Sequence, residues 1–208
     1  MTMHEMTFDT FLCDDSAETN RTVKTLTTLH KNPIQAKVLC IWGGNSTGKT
    51  HLLHAVENTK SSQIRLYLTS DQLSQKLSHA IKEGQVAEFV ESFANVDILL
   101  IDDAQFLAAN FILELLYSAI VPRIHQYVIL ASDCDPQAIG LLSNDGIVLR
   151  LEEPSLAVRK MFVLKIADSF QLQLDEAVQS LIATELTDFR RISGLLTFLK
   201  AMNIGKQK

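Results

Sequence analysis

The sequence predicts an α/β fold, a five-stranded parallel sheet sandwiched by helices, with a small unit of three helices behind it. Three observations carry this. Short apolar runs of strand length recur at 38–42, 64–69, 96–101, 127–132 and 147–151, and segments with helical spacing separate most of them. A glycine-rich stretch ending in Gly48-Lys49-Thr50 sits between the first run and the helical segment after it. Beyond Pro154 only helical patterns remain, at 155–170, 175–186 and 187–202. Residues 1–153 therefore read as the base and 154–208 as a helical lid.

Residues 1–14 read as an extended arm anchored by Phe8 and Phe11. Ser16 is placed to cap a helix running to about His30, with Val23, Leu26 and Leu29 on one face. A loop with Pro33 leads into Val38-Leu39-Cys40-Ile41-Trp42, an apolar run suited to a parallel strand buried on both faces. Leu52, Leu53, Ala55 and Val56 give the next segment helical spacing. After the second strand, Ser70 starts a helix that Gly84 closes, and 86–93 forms a shorter one. Residues 111–124 read as one helix, apolar nearly all round, either buried between layers or meeting a partner; burial is the favoured reading. In the lid, the first and third helices carry a 3.6 period, for example Met161, Leu164, Ile166 and Ala167. The terminal residues 205–208 are expected to fray.

Gly43-Gly44-Asn45-Ser46-Thr47-Gly48-Lys49-Thr50 matches G-x-x-x-x-G-K-T, the phosphate-binding loop of nucleoside triphosphatases. Glycines let the backbone turn its N–H groups toward a phosphate, Lys49 places an ammonium on the outer phosphates, and Thr50 offers a hydroxyl to Mg²⁺. The flanking strand and helix are the context the motif requires, and the helix N-terminus favours an anion there. Downstream, Ile98-Leu99-Leu100-Ile101 runs into Asp102-Asp103. That pattern delivers carboxylates to the sheet edge bearing the loop, Asp102 for Mg²⁺ and Asp103 to orient or activate water. Ser132-Asp133 ends the next strand, placed either to hydrogen-bond the terminal phosphate or water or to cap the turn at Asp135-Pro136.

Composition narrows the classes. The chain has 208 residues, 47% apolar, with net charge −5, so no global basic field draws in nucleic acid. Cys13, Cys40 and Cys134 lie far apart and suit reduced thiols better than a disulfide framework or zinc site. The start has neither the basic nor the apolar region of a signal peptide, and no run reaches membrane-spanning length, so a cytoplasmic protein is expected. His51 and His54 lack a third ligand and read as core or family-pattern residues. No G-x-S-x-G elbow supports a serine triad.

Three blocks together resemble the ATPase domain of the bacterial replication initiator DnaA: Leu39-Cys40-Ile41-Trp42-Gly43-Gly44 through Lys49-Thr50-His51-Leu52-Leu53-His54-Ala55; Val96 through Asp102-Asp103-Ala104-Gln105-Phe106-Leu107; and Val128-Ile129-Leu130-Ala131-Ser132-Asp133. The opening Thr7-Phe8-Asp9-Thr10-Phe11 is similar to the arm that starts that domain, and Asp188-Phe189-Arg190-Arg191-Ile192-Ser193-Gly194 to its lid motif. The resemblance implies an AAA+ P-loop fold with strand order 5-1-4-3-2 and ATP or ADP, with Mg²⁺, between base and lid. It implies catalytic roles for Lys49, Asp102, Asp103 and the sensor arginine Arg190. The cofactor-binding set is residues 43–51 with Ser132, Asp133 and Arg190; Thr50 and Asp102 hold the metal.

The departures refine the expectation. The chain ends after the lid, like Hda, the paralogue that lacks the initiator's DNA-reading domain, and residues 1–12 show no convincing sliding-clamp motif. Val90 and Glu91 stand where the family favours basic residues toward single-stranded DNA, so DNA binding is expected to be weak or absent. Aligning the family's last-strand glycine with Gly146 puts Leu142 at the arginine-finger position. The leading expectation is a regulator of replication initiation acting on a homologous partner ATPase, with a replisome component as a further partner and hydrolysis slow without a partner arginine. The alternatives are a catalytically weak nucleotide switch or scaffold, and a helicase-loader type of ATPase.

Overall fold

The computed structural model describes residues 5–13, 16–29, 31, 33–107, 111–142 and 145–204. His30, residues 143–144 of the segment aligned with the finger, and the terminal residues 205–208 lie outside the described residues.

Five parallel strands form one sheet: β1 (Val38–Trp42), β2 (Arg65–Thr69), β3 (Ile98–Asp102), β4 (Tyr127–Ser132) and β5 (Ile147–Arg150), in the order β2-β3-β4-β1-β5. This is the order the resemblance implies. The central strands are apolar on both faces, as strands covered twice must be. In β1, Val38 and Cys40 enter one core with Leu73, Leu77, Phe93 and Leu116, while Leu39 and Ile41 enter the other with Leu26, Leu52 and Leu53. β3 divides the same way, Leu99 and Ile101 against Ile98 and Leu100. The helices supplying those cores are α1 (Ala17–Thr28), α2 (Lys49–Glu57), α3 (Ser70–Glu83), α4 (Val86–Glu91) and α5 (Phe111–Leu115).

Their boundaries follow local chemistry. Ser16 Oγ accepts from the N–H of Thr19 and caps α1. Thr69 and Gln72 form a reciprocal capping box at α3, and Gly84 ends it in the left-handed region at φ 69°. The segment 111–124 departs from a single α-helix. After α5 the backbone widens into a π-helical stretch, Leu116–Ile120, closed by a bond from Val121 N–H to Leu116 O at 2.7 Å. Pro122, which has no N–H to donate, lies just past it. Ile112, Leu116, Ile120, Val121 and Ile124 are all buried, as the burial reading expects, whereas Phe111 is 59% exposed.

Past β5, α6 (Leu156–Ser169), α7 (Glu176–Glu185) and α8 (Phe189–Ile204) pack around a core of their own containing Val163, Ile166, Ala167, Ile182, Ile192 and Leu196. Met161 and Leu164 are not in it: both are exposed, at 47% and 43%. The inward stripe of α6 is Val158, Val163, Ile166 and Ala167: Ile166 and Ala167 face inward as the sequence suggests, and Val158 and Val163 take the place of Met161 and Leu164. Among the described residues no helix is long and apolar enough to cross a membrane.

Candidate functional site

The C-terminal edge of the sheet carries the site. β1 ends at Trp42, and the loop from Gly43 leads straight into α2 at Lys49. Backbone geometry requires two of its glycines, Gly43 and Gly48. Gly48 has φ 98°, and a Cβ there would lie 2.5 Å from the Phe11 ring. At Gly43 a Cβ would meet Leu151 O at 2.6 Å. Ser46 is also left-handed, at φ 60°. Left-handed residues curve a loop into the concavity that anions occupy.

Lys49 is 8% exposed. Its Nζ donates to Gly43 O at 2.8 Å and Gly44 O at 2.6 Å, and it forms an ion pair with Asp133 at the end of β4. Thr50 Oγ1 donates to Asp102 Oδ2 at 2.7 Å, so the two predicted metal-holding residues meet across 52 positions of sequence. Asp103 N–H donates to Asp102 Oδ1 at 3.0 Å. Asp103 itself is left-handed at φ 54°, an uncommon state for a non-glycine residue and one found at functional sites. Burial, and then the charge of Asp102, raise the Asp103 carboxyl above the usual carboxylate range.

The opposite wall belongs to the helical unit. A cleft of about 450 Å³ is lined by Lys49, Thr50, Asp102, Asp103 and Asp133 on one side and by Phe162, Lys165, Phe189, Arg190 and Ser193 on the other, with Phe11 and Leu12 of the arm. Ser46 Oγ donates to Asp188 Oδ1 at 2.7 Å, tying the loop to the start of α8. Asp188 Oδ1 also accepts from Arg190 N–H at 2.6 Å. Burial works against its ionised form, but these bonds outweigh that and hold its carboxyl below the usual range. Lys165 Nζ donates to Thr10 O at 3.0 Å, tying α6 to the arm.

The structure thus brings Ser46, Gly48, Lys49, Thr50, His51, Asp102, Asp103, Asp133 and Arg190 to one cleft. Asn45 and Gly44 are exposed on the loop, and Thr47 Oγ1 donates back to Gly44 O at 3.0 Å. His51 lines the cleft, and its Nε2 reaches Thr7 O at 2.9 Å, so its ring holds the arm. Ser132 is fully buried: its hydroxyl donates to Cys134 O and accepts from Cys134 N–H, the turn-capping role of its two readings. Four participants were given no role by the sequence reading, although two of them, Gln105 and Asp188, fall within the motifs it quotes. They are Tyr67, whose hydroxyl donates to Asp102 Oδ2 at 2.9 Å; Gln105, which accepts from Asp133 N–H at 3.2 Å; Lys165; and Asp188. Burial, and then Asp102 beside it, push the Tyr67 phenol above its ordinary range, so it stays a donor.

The residues present fit a magnesium nucleotide. The loop is a cradle that a Cβ would obstruct, Lys49 supplies a buried cation, and Thr50 with Asp102 supplies hard oxygens. Among the described residues no group of three or more His, Cys, Asp or Glu is placed to hold a metal. Mg²⁺ takes one or two protein oxygens, of the kind the Thr50 hydroxyl and the Asp102 carboxylate offer, and completes its shell with water and phosphates.

The bacterial DnaA ATPase domain family matches residues 3–153. Domain III of the DnaA replication initiation protein of Thermotoga maritima is similar over 98% of this chain and 92% of its own, at 27% identity and TM-score 0.83. A crystal structure of a DNA replication initiation factor matches 95% of this chain at 26% identity and TM-score 0.83, and this chain spans only 64% of it. A replication initiator DnaA bound to AMPPCP and single-stranded DNA matches 94% of this chain and 65% of its own length, at 25% identity and TM-score 0.80. With the five-stranded parallel sheet and the phosphate loop in place, the chain belongs to the bacterial DnaA ATPase-domain family and has its AAA+ P-loop fold.

Proposed function

We propose that this protein binds ATP or ADP with Mg²⁺ in the cleft and acts as a nucleotide-dependent regulator of replication initiation on a homologous partner ATPase. The observation that carries the reading is the convergence of Lys49, the Thr50–Asp102 pair and Arg190 on one cleft, bridged by Ser46–Asp188. Residues 1–153 are the nucleotide-binding base and 154–208 the lid that closes on it. Lys49 meets the outer phosphates, Thr50 and Asp102 hold Mg²⁺, Asp103 orients the attacking water, and Arg190 reads the γ-phosphate from the lid. Bound there, Mg²⁺ neutralises charge on the phosphates.

Where the arginines are decides which way help in trans can run. Leu142 stands at the aligned finger position. Arg123 donates to Ala119 O and Glu91, and Arg150 lies over the Trp42 ring at 5.2 Å. Neither falls at the family's finger position, so the protein's own cleft can take an arginine from a partner, but it can return one to that partner only if Arg150 substitutes. α4 presents exposed Glu88 and Glu91, which repel a phosphate backbone; direct DNA binding is therefore weak. The same missing finger supports a second reading, a catalytically weak switch whose lid reports the bound nucleotide.

The test is ATP turnover by the purified protein across a range of concentrations, alone and with a homologue that keeps its finger. The first reading expects slow turnover that concentration does not raise and that the homologue stimulates by about 10³-fold or more. Unchanged turnover with the homologue would leave the switch. Turnover that climbs with concentration and collapses in Arg150→Ala would show that Arg150 is the finger.

A further inference from the structure

We propose that Tyr67 is a positioning residue for the metal: its hydroxyl fixes the Asp102 carboxylate in the orientation that Mg²⁺ needs. This rests on the nucleotide reading of the cleft. Tyr67 lies mid-strand on β2, two residues before Thr69, which pairs with Asp102 across the sheet. Its hydroxyl donates to Asp102 Oδ2 at 2.9 Å, the same oxygen that accepts from Thr50 at 2.7 Å. Oδ1 accepts from Asp103 N–H. Asp102 is 5% exposed, so these donors set its orientation largely without help from water.

The phenol is itself held. The His54 ring stacks on the Tyr67 ring with centroids 4.3 Å apart. His54 is 2% exposed, and its Nδ1 lies 2.8 Å from Glu57 Oε2. Helix α2 therefore contributes twice. Its first turn presents Lys49 and Thr50, and its second turn braces the tyrosine that aims Thr50's carboxylate partner. An ordinary phenol is protonated at neutral pH and donates a hydrogen bond. Groups that orient a metal-holding carboxylate are worth about 10–100-fold in metal affinity when removed.

The bland account of Tyr67 is that it helps bind β2 to β3, and the two accounts separate in Tyr67→Phe. That substitution keeps the ring and its stack on His54 and removes only the hydroxyl. AMPPCP dissociation constants would be measured with EDTA and with saturating Mg²⁺, giving the gain in affinity that the metal confers. The proposal expects the variant to match the parent in EDTA and in melting temperature, while the metal-dependent gain falls by about tenfold. An undiminished gain would overturn it. So would an equal loss in EDTA, which marks a structural role, or a parent that gains nothing from Mg²⁺. A parent that binds no AMPPCP under either condition would defeat the nucleotide reading itself, a separate failure.

Discussion

On the sheet side of the cleft, functional groups meet through buried contacts at strand ends: Lys49 with Gly43, Gly44 and Asp133, and Thr50 and Tyr67 with Asp102. On the helical side, the described residues tie the bundle to the loop and arm through partly exposed bonds, Ser46–Asp188 and Lys165–Thr10. The first wall is fixed by the register of parallel strands. The second is held by bonds that water competes for, each a modest contribution of about 1 kcal/mol. A wall that holds phosphates and metal needs preorganisation. A wall that reports which nucleotide is bound needs ties weak enough to break.

Substitutions on the two walls should therefore differ in size and kind. The largest effect is expected from Lys49→Ala, which removes the cation and leaves Asp133 facing the phosphates. Calorimetry should show nucleotide affinity down by about 100-fold, the weight of a charge-assisted contact near 3 kcal/mol. Wild-type affinity in that variant would remove the loop from the account.

Arg190→Ala should act on discrimination more than on affinity. The preference for ATP over ADP should shrink by about tenfold, while Arg191→Ala, on the same turn but outside the cleft lining, leaves it unchanged. Equal effects of the two would remove the sensor assignment.

Ser46→Ala breaks the tie between loop and α8 without touching Lys49. A loss of about fivefold in affinity is expected, from one hydrogen bond near 1 kcal/mol. Hydrogen exchange should quicken at residues 188–193 in the same variant; unchanged exchange would mean that the bond does not hold the bundle.

The smallest effect is a pH dependence. Burial, opposed by the bond to Thr7, lowers the pKa of His51 from 6.5. The unfolded chain then binds the proton more readily than the folded one. Stability contributed here is full above pH 6.5 and falls as pH drops from there toward the folded pKa. Melting temperature should decline in that window, and His51→Gln, which can still donate to Thr7, should flatten the decline. A variant with the parent's slope would place the titration elsewhere.

This contrast also explains what the sequence could show. Gly43 through Thr50 form one contiguous motif, and Asp102 and Asp133 each end an apolar run downstream of it, so the motif and the runs together point them to one sheet edge. Ser46 and Asp188 are 142 positions apart, and nothing local in either marks the other. Tyr67 is hidden for a related reason: mid-strand on a half-buried strand and paired with Leu100, it reads as packing until the structure shows its hydroxyl reaching Asp102, two positions further along β3. The π-helical turn after α5 could not be foreseen from an apolar run that suits either helix type. Met161 and Leu164 fit a 3.6 period as well as the inward stripe does, and only packing against α7 and α8 decides between the stripes.

The central claim is that one nucleotide is held between the phosphate loop and the helical unit. Calorimetric titration of the purified protein with ADP and with ATP, in the presence of Mg²⁺, tests it most directly. A single saturable site per chain is expected for each nucleotide, with the two affinities set apart by an amount that Arg190→Ala reduces. No saturable heat with either nucleotide, even at millimolar concentration, would contradict it.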